Sequence, residues 1–291
     1  MLPIGDIEIY LFNDATAYMD PGGLFGLVPR VLWSRYYQAD GRHLIRTATH
    51  NLLIRAAGAN IIVDTGFGNS LSDRQRRHLH MNEFDGAHQG LAALGISPDE
   101  IDIVIDTHLH DDHCTGNFRL DAEGRRAPAF PKAEYLVQRQ EYEDATQLNE
   151  RTRGTYKPEN YVPLYAAGQL RLLEGDSEIV SGVSALVTPG HTRGHMSVRI
   201  ESRGEQAAFL CDLASLAVHF ERLAWMTAFD VEPLVTLETK RRWQRWALET
   251  DALLIFPHDA IRPAGRLTQN ERGRLTVQPV SFAYDNPKSL R

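Results

Sequence analysis

The chain of 291 residues contains only two cysteines, too few for the disulfide framework of a small secreted protein. It also lacks any run close to the ~18 consecutive apolar residues that a membrane-spanning helix needs. Residues 1–6 show no basic segment followed by an apolar one, so they do not resemble a secretory signal. These absences favour a cytoplasmic protein with no membrane partner.

Positive charge is also scarce, because 31 Lys and Arg residues stand against 38 Asp and Glu residues, a net charge of −7. We therefore predict no nucleic-acid partner, since such binding needs a broad basic surface. Hydrophobic residues make up 43% of the chain and charged residues 24%, as in a globular protein with a large core. No repeat or composition shift marks a boundary, which predicts a single domain over residues 1–291.

Short strand-like runs and helical patterns are interleaved along the chain. The clearest elements are a hairpin over residues 51–64, which turns at Gly58, and a helix over residues 234–250. Residues 15–47 are the exception, because this stretch is rich in Gly, Pro and aromatics and has no regular period. Its apolar side chains argue against disorder. We therefore expect a long apolar loop that covers a site or forms a homodimer contact.

The densest group of metal-ligand side chains is His-Leu-His-Asp-Asp-His at residues 108–113, directly after an apolar run. On extended backbone, residues i and i+2 point to the same side, so His108 and His110 can hold one metal ion. Asp112 and His113 follow at the turn and can face a second metal ion beside it. Imidazole and carboxylate together suit Zn²⁺ as the first choice, with Mn, Fe or Co as alternatives.

Three later apolar runs also end in a side chain that can bind a metal. Thr-Pro-Gly leads into His191, a run ending at Leu210 precedes Asp212, and the run 252–256 precedes His258. Each of these residues alone would be an ordinary turn, capping or surface residue. Their occurrence in a chain that also carries the motif at residues 108–113 predicts a site for two divalent metal ions.

This residue set resembles that of the metallo-β-lactamase-fold hydrolases, from the Val-Asp-Thr-Gly run at Asp64 to His258. The resemblance implies an α+β fold, a four-layer αββα sandwich with its metals at the sheet edges. Asp64 is similar to the carboxylate that orients a ligand histidine in that family. The positions that resemble the family's ligands are His108, His110 and His191 for the first metal, Asp112, His113 and His258 for the second, and Asp212 as the bridge.

The runs at residues 25–33 and 188–195 are similar to the lactonase-like branch, which includes quorum-quenching N-acyl homoserine lactonases. The resemblance implies a hydrolase in which a metal-bridging hydroxide opens a small-molecule lactone or cleaves a related carboxylic ester. Asp112 or Asp212 would relay the proton, and Ser215 would donate a hydrogen bond to the oxyanion. These three residues are the predicted catalytic side chains.

Three positions depart from the lactonase pattern. Ser215 stands where well-known lactonases have tyrosine, so this serine or a tyrosine from the long loop would supply the hydroxyl. Asp111 stands where many relatives have an apolar residue, and Cys211 where many have glycine. Because Cys211 is the strand neighbour of Asp212, we expect its thiol to face away from the metals. We expect His195 to support the site or pack beside it.

Several other activities stay open on the same residues. A phosphotriester or aryl ester hydrolase would use the same two metals, and a β-lactamase is a further alternative on this fold. A mononuclear iron thiol dioxygenase would need only two histidines and one carboxylate. A metal-binding module without catalysis is the fourth alternative, which a metal-loaded protein without turnover would support.

Overall fold

Two mixed β-sheets face each other in the computed structural model, which describes residues 1–281. The first sheet and a separate hairpin, β6 with β7, comprise the following strands: β1 (Leu2–Ile4), β2 (Ile7–Met19), β3 (Ile45–Ala56), β4 (Ala59–Val63), β5 (Ile103–Ile105), β6 (Phe118–Leu120), β7 (Arg126–Pro128), β8 (Glu134–Gln138) and β9 (Leu170–Leu173). The second sheet comprises β10 (Ser177–Val180), β11 (Val183–Val187), β12 (Met196–Ser202), β13 (Glu205–Phe209), β14 (Leu253–Ile255), β15 (Ala264–Gln269) and β16 (Leu275–Pro279). Residues 282–291 of the predicted domain lie outside the described residues.

Nine helices occur within residues 1–281. They are α1 (Pro21–Phe25), α2 (Arg30–Trp33), α3 (Asp73–His78), α4 (Gly86–Ala93), α5 (Asp111–Cys114), α6 (Arg139–Thr146), α7 (Val162–Ala166), α8 (Ala217–Glu221) and α9 (Pro233–Thr250). Among them, α4 packs on the outer face of the first sheet and α9 on that of the second. Short 3-10 turns occur at Pro98–Glu100, Thr115–Asn117, Pro158–Asn160 and Cys211–Leu213. None of the helices within residues 1–281 has the length and apolar character needed to cross a membrane.

Successive residues of the strands enter different cores. In β3, Leu52 and Ile54 lie in the core between the two sheets, whereas Leu53 lies in the core under α4. The outer face of the second sheet forms a third core with Trp243 and Ala247 of α9. Because both faces of each sheet are covered, the strands read as apolar runs without clear alternation. The predicted four-layer αββα sandwich is thereby confirmed.

The order of the strands brings several strand ends to one place. β4, β5, β8 and β9 are parallel neighbours in the first sheet, and β13 and β14 are parallel neighbours in the second. The carboxyl ends of parallel neighbours lie at the same edge of a sheet. The segments that follow β4, β5, β13 and β14 therefore leave the sheets together and carry the predicted site residues except His191. His191 follows β11, which runs in the same direction as β13.

The predicted hairpin and long helix are both found. β3 and β4 pair antiparallel, and their turn places Gly58 at φ +80°, a backbone conformation that favours glycine. The helix predicted over residues 234–250 is α9, Pro233–Thr250.

The predicted long loop over residues 15–47 is shorter than expected. Residues 15–19 belong to β2, residues 45–47 belong to β3, and α1 and α2 lie between them. The end of β2 shows no alternation of apolar and polar residues in the sequence, because the strand contains a bulge between Asn13 and Ala15 and is buried on both faces there. The segment between the strands is an ordered cover, in which the rings of Phe25 and Trp33 stack 5.3 Å apart.

One close approach fixes α4 on the first sheet. A Cβ atom added at Gly90 would lie 2.3 Å from the ring of Phe12, which is fully buried in β2. We expect Gly90→Ala to lower the free energy of unfolding by about 1–2 kcal/mol, because overpacking of ~1–3 kcal/mol exceeds the gain of ~1 kcal/mol in helix propensity. Urea unfolding measures the change. Gly41→Ala, with no atom within 4 Å, is the control, and an unchanged midpoint for Gly90→Ala would contradict the packing.

Candidate metal centre

All predicted ligand residues lie at the edge where the parallel strands end. The backbone after β5 carries two of them, α5 carries two more, and the turns after β11, β13 and β14 each carry one. In chain order these residues are His108, His110, Asp112, His113, His191, Asp212 and His258. Except for Asp112, which is half-buried, each of them is buried. The structure therefore brings together, in three dimensions, residues that the sequence places in four separate segments.

His108, His110 and His191 form a first triad, in which one nitrogen of each ring lies within 4.8 Å of the other two. His108 Nε2 and His110 Nδ1 are 3.1 Å apart, and His110 Nδ1 and His191 Nε2 are also 3.1 Å apart. The rings of His108 and His110 thus point to the same side of the backbone, as expected for residues i and i+2 of an extended segment.

Asp112, His113 and His258 form a second triad on the same distance criterion. His113 Nε2 and His258 Nε2 are 3.2 Å apart, and Asp112 Oδ2 lies 3.7 Å and 3.5 Å from these two nitrogens. A mononuclear iron site would need only one such set of two histidines and one carboxylate. The additional triad of three histidines beside it disfavours the thiol dioxygenase alternative.

Asp212 lies between the two triads. Its Oδ2 is 3.2 Å from His191 Nε2, and its Oδ1 is 3.3 Å from His258 Nε2. Among the described residues, none donates a geometrically sound hydrogen bond to the buried Oδ1. One carboxylate with an oxygen toward each triad is the arrangement that a bridging ligand needs.

The protonation of these side chains also suits metal binding. Burial, together with the neighbouring imidazoles, holds the pKa values of His108 and His110 well below the ordinary 6.5, so their nitrogen lone pairs are free. Burial opposes ionisation of Asp212, but the imidazoles of His258 and His191 hold the pKa of its carboxyl well below its usual range. Burial opposes protonation of His191 and His258, but the carboxylate of Asp212 raises the pKa values of both rings, so a divalent cation would displace protons from them.

Asp64, predicted to orient a ligand histidine, lies behind the second triad. Its Oδ2 is 2.9 Å from His113 Nδ1, and its two oxygens accept hydrogen bonds from the backbone and side chain of Thr107 at 2.8 and 3.0 Å. An acceptor on Nδ1 leaves Nε2 of His113 facing Asp112 and His258. Asp64 follows β4, which is why its carboxylate reaches the segment after the parallel neighbour β5.

Two other supports of the ligands were not foreseen. Asp230 Oδ1 is 2.9 Å from His191 Nδ1 and also accepts a hydrogen bond from Thr227 at 2.7 Å. The backbone carbonyl of Ala48 lies 2.9 Å from His258 Nδ1. Asp230 lies in an irregular loop before α9, where no sequence period singles out one carboxylate. The Ala48 contact uses a backbone atom, which leaves no trace in residue type.

His195 and Cys211 lie beside the ligands. His195 Nε2 accepts a hydrogen bond from the backbone of Asp212 at 3.0 Å, so it supports the turn that carries this carboxylate. Cys211 Sγ lies 3.6 Å from Nδ1 of His113, whereas Nε2 of that ring belongs to the second triad. Cys211, His108 and His113 form a third group of possible ligand atoms, in which Sγ lies 3.9 Å from Nδ1 of His108, on the side of that ring away from the Nε2 atom that faces His110.

A cavity of about 320 Å³ opens over the two triads. Ser215 lines it, and the buried Ser215 hydroxyl has no hydrogen-bond partner among the described residues. Among residues 1–281 no tyrosine, lysine or arginine lines the cavity. Its apolar wall is formed by Ala17, Met19, Leu24, Phe67, Leu79 and Phe229.

The alternative that a tyrosine of the long loop replaces the missing hydroxyl is not supported. Tyr37 donates its hydroxyl hydrogen to Asp259 at 2.6 Å, and the hydroxyl of Tyr36 accepts from Arg222 at 2.7 Å. Both tyrosines therefore serve the packing of the cover. Leu24 is the residue of α1 that reaches the cavity wall.

Comparison with known proteins agrees with this geometry. The family model described as the metallo-beta-lactamase superfamily matches residues 45–255. An N-acyl homoserine lactonase of Bacillus thuringiensis is 32% identical over 181 residues, which cover 62% of this chain and 64% of that protein. The match thus spans about 64% of the length of that lactonase.

Solved structures cover nearly the whole chain. A crystal structure from Staphylococcus aureus, described as a probable metal-dependent hydrolase, has a TM-score of 0.85 and 31% identity over 97% of this chain and 100% of that one. The structure of AidC, described as a dizinc quorum-quenching lactonase with a bound product, has a TM-score of 0.77 at 20% identity over 97% of both chains and shows a shared fold. With its αββα layers and the match over residues 45–255, the chain belongs to the metallo-β-lactamase superfamily.

Proposed function

We propose that the protein is a dinuclear-metal hydrolase that opens lactones, with N-acyl homoserine lactones as the preferred class. The observation that carries this proposal is the pair of triads joined by Asp212, a complete donor set for two adjacent cations. The lactonases named among the relatives support the substrate class. Zn²⁺ is the metal that this histidine-rich donor set suits best.

When bound, two such cations supply a hydroxide at neutral pH and polarise the substrate carbonyl. The side chains of the protein keep the histidine rings in the protonation state and orientation that metal binding needs. His108 and His110 stay neutral and keep their lone pairs directed to one point, while Asp64 and Asp230 hold the ring orientations of His113 and His191. 

Of the two carboxylates predicted to relay a proton, Asp112 is the better placed. Both side chains line the cavity, but that of Asp112 is 26% exposed, whereas that of Asp212 is 7% exposed between the triads. We therefore assign to Asp112 the transfer of the proton toward the leaving alkoxide. Asp212 holds the two halves of the site together.

Ser215 is the side chain that we assign to the developing oxyanion. A buried hydroxyl without a partner costs free energy, and a substrate oxygen in the cavity would relieve that cost. Hydrogen-bond donors already aimed at the place where charge develops lower the barrier without reorganisation. This role does not require the serine to act as a nucleophile.

The cavity over the triads indicates the kind of substrate. Its volume of about 320 Å³ and its apolar residues suit a small neutral molecule with a hydrocarbon part. Asp111 also lines the cavity, and no other side chain within residues 1–281 makes a hydrogen bond or ion pair with its carboxyl group. A carboxyl group in this position accepts a hydrogen bond from the amide N–H of an N-acyl homoserine lactone. A phosphotriester has no such donor.

The homodimer expected from the long apolar segment stays a prediction. Leu27 and Val31, on and beside α2, are 101% and 66% exposed, and burying both against a second copy would remove apolar surface from water. All residues of the proposed active site belong to one chain.

The first experiment measures hydrolysis of N-hexanoyl-homoserine lactone by zinc-reconstituted protein, with metal content determined in the same samples. His110→Ala should lose bound zinc and at least about 10³-fold in kcat/KM, since the first triad is broken. His43→Asn, at an exposed position whose φ of 65° suits asparagine, is the control that should keep both. Two bound zinc ions without lactone turnover in the unmodified protein would refute the lactonase assignment and favour the phosphotriester or aryl ester alternative.

Ser215→Ala tests the oxyanion role. We expect kcat for the lactone to fall about 10–100-fold with KM and zinc content nearly unchanged, because the hydroxyl acts on charge that develops in the transition state. Steady-state kinetics and metal analysis measure both quantities. Ser70→Ala, at a half-buried position outside the cavity lining, is the matched control. An unchanged kcat would exclude Ser215 from catalysis.

Asp111→Leu tests the contact with the substrate amide. We compare kcat/KM for N-hexanoyl-homoserine lactone with that for a γ-lactone that carries an alkyl chain of similar length and no amide. The ratio should fall about tenfold in Asp111→Leu, because one hydrogen bond is lost from the amide substrate only. Asp111→Asn keeps an acceptor oxygen and should stay near the unmodified ratio. An equal fall in kcat/KM for both lactones would show that Asp111 does not bind the amide group.

A further inference from the structure

Glu141 is a buried carboxylate outside the ligand set, in the first turn of α6. Its Oε1 accepts hydrogen bonds from the backbone of Leu109 at 3.0 Å and from the hydroxyl of Tyr156 at 2.9 Å. Its Oε2 accepts a hydrogen bond from the hydroxyl of Thr192 at 2.5 Å. Within residues 1–281 no Lys or Arg forms an ion pair with it, so these three donors alone compensate the buried carboxylate.

Each of the three donors adjoins a residue of the first triad. Leu109 lies between His108 and His110 in the chain, and Thr192 directly follows His191. Tyr156 pairs with His110 in an isolated β-bridge, and the centres of their two rings are 4.9 Å apart. One carboxylate therefore connects the two segments that carry the first triad with the segment of Tyr156, which pairs with His110.

A close contact of the backbone at Gly194 also joins α6 to the turn that carries His191. A Cβ atom added at Gly194 would lie 2.3 Å from the backbone nitrogen and 2.6 Å from the Cα atom of Glu141. The turn that carries His191 and Thr192 is therefore seated directly on the first turn of α6. Only glycine permits this approach, which keeps the hydroxyl of Thr192 within reach of the carboxylate.

The second triad is supported by different groups. His113 is held through Asp64, and His258 is held through the backbone carbonyl of Ala48. Glu141 has no hydrogen bond to His113, to His258 or to the residues next to them in the chain. The carboxylate therefore acts on one half of the donor set and not on the other.

We propose that Glu141 is a positioning residue for the first metal, which holds His108, His110 and His191 in register through Leu109, Tyr156 and Thr192. The proposal rests on the ligand assignment of the proposed function. Loss of Glu141 loosens the first triad and leaves the second triad intact. Carboxylates that act on metal ligands from outside typically change metal affinity by about 10–100-fold.

Zinc affinity is measured by chelator competition in two backgrounds that each keep one triad. His258→Ala disables the second triad, and His191→Ala disables the first. We expect Glu141→Ala to weaken zinc binding about 10–100-fold in the His258→Ala background and less than about threefold in the His191→Ala background. Glu141→Gln keeps an acceptor for Leu109 and Tyr156 and should recover most of the affinity. Glu143→Gln, exposed on the same helix, is the control.

Circular dichroism checks that each variant folds. If Glu141→Ala does not fold, Thr192→Val takes its place, because it removes one donor and conserves the shape of the side chain. Equal weakening in both backgrounds, or none in either, would overturn the proposal. A protein that binds zinc at both triads but opens no lactone would refute the proposed function and leave the role of Glu141 standing, since the measurement uses the metal alone.

Discussion

The arrangement depends on burying imidazoles and carboxylates together at one edge of two sheets. Polar groups in a low-dielectric interior cost free energy unless each has a partner. Here the ring nitrogens that face outward are matched by Asp64, Asp230 and the carbonyl of Ala48, while the nitrogens that face inward are left to the site. In His113, His191 and His258, one ring nitrogen therefore fixes the orientation of the ring, and the other faces the triads.

The supports come from elements that the ligands themselves do not use. Asp64 follows β4, Glu141 lies in the first turn of α6, and Asp230 precedes α9. Each layer of the sandwich therefore contributes to the site, and the packing of helices on sheets becomes part of the geometry around the cavity. Arg151 extends this principle, because its guanidinium donates to the carbonyls of Ala228 and Asp230 at 2.8 and 3.0 Å and ties together two segments that border the cavity.

Much of this could be predicted from the sequence, because ligand spacing and apolar runs are local signals. The motif at residues 108–113 and the strand ends before His191, Asp212 and His258 are visible without a structure. Asp230 and Glu141 are not, since a carboxylate in a loop or a charged helix looks like any solvent-facing acid. The cover at residues 15–47 was also misjudged, because the bulge in β2 and burial on both faces remove the period of two that identifies a strand.

The sequence separation of His113 and His258 has a consequence for folding during synthesis. His113 and His258 are separated by 145 positions, yet their Nε2 atoms are 3.2 Å apart. A nascent chain on the ribosome holds the motif at residues 108–113 long before the strand that delivers His258 is synthesised. Contacts of such sequence separation form late and slow folding. The second triad therefore cannot form before β14 has been synthesised and paired, and a chain truncated before this strand would hold His113 without His258.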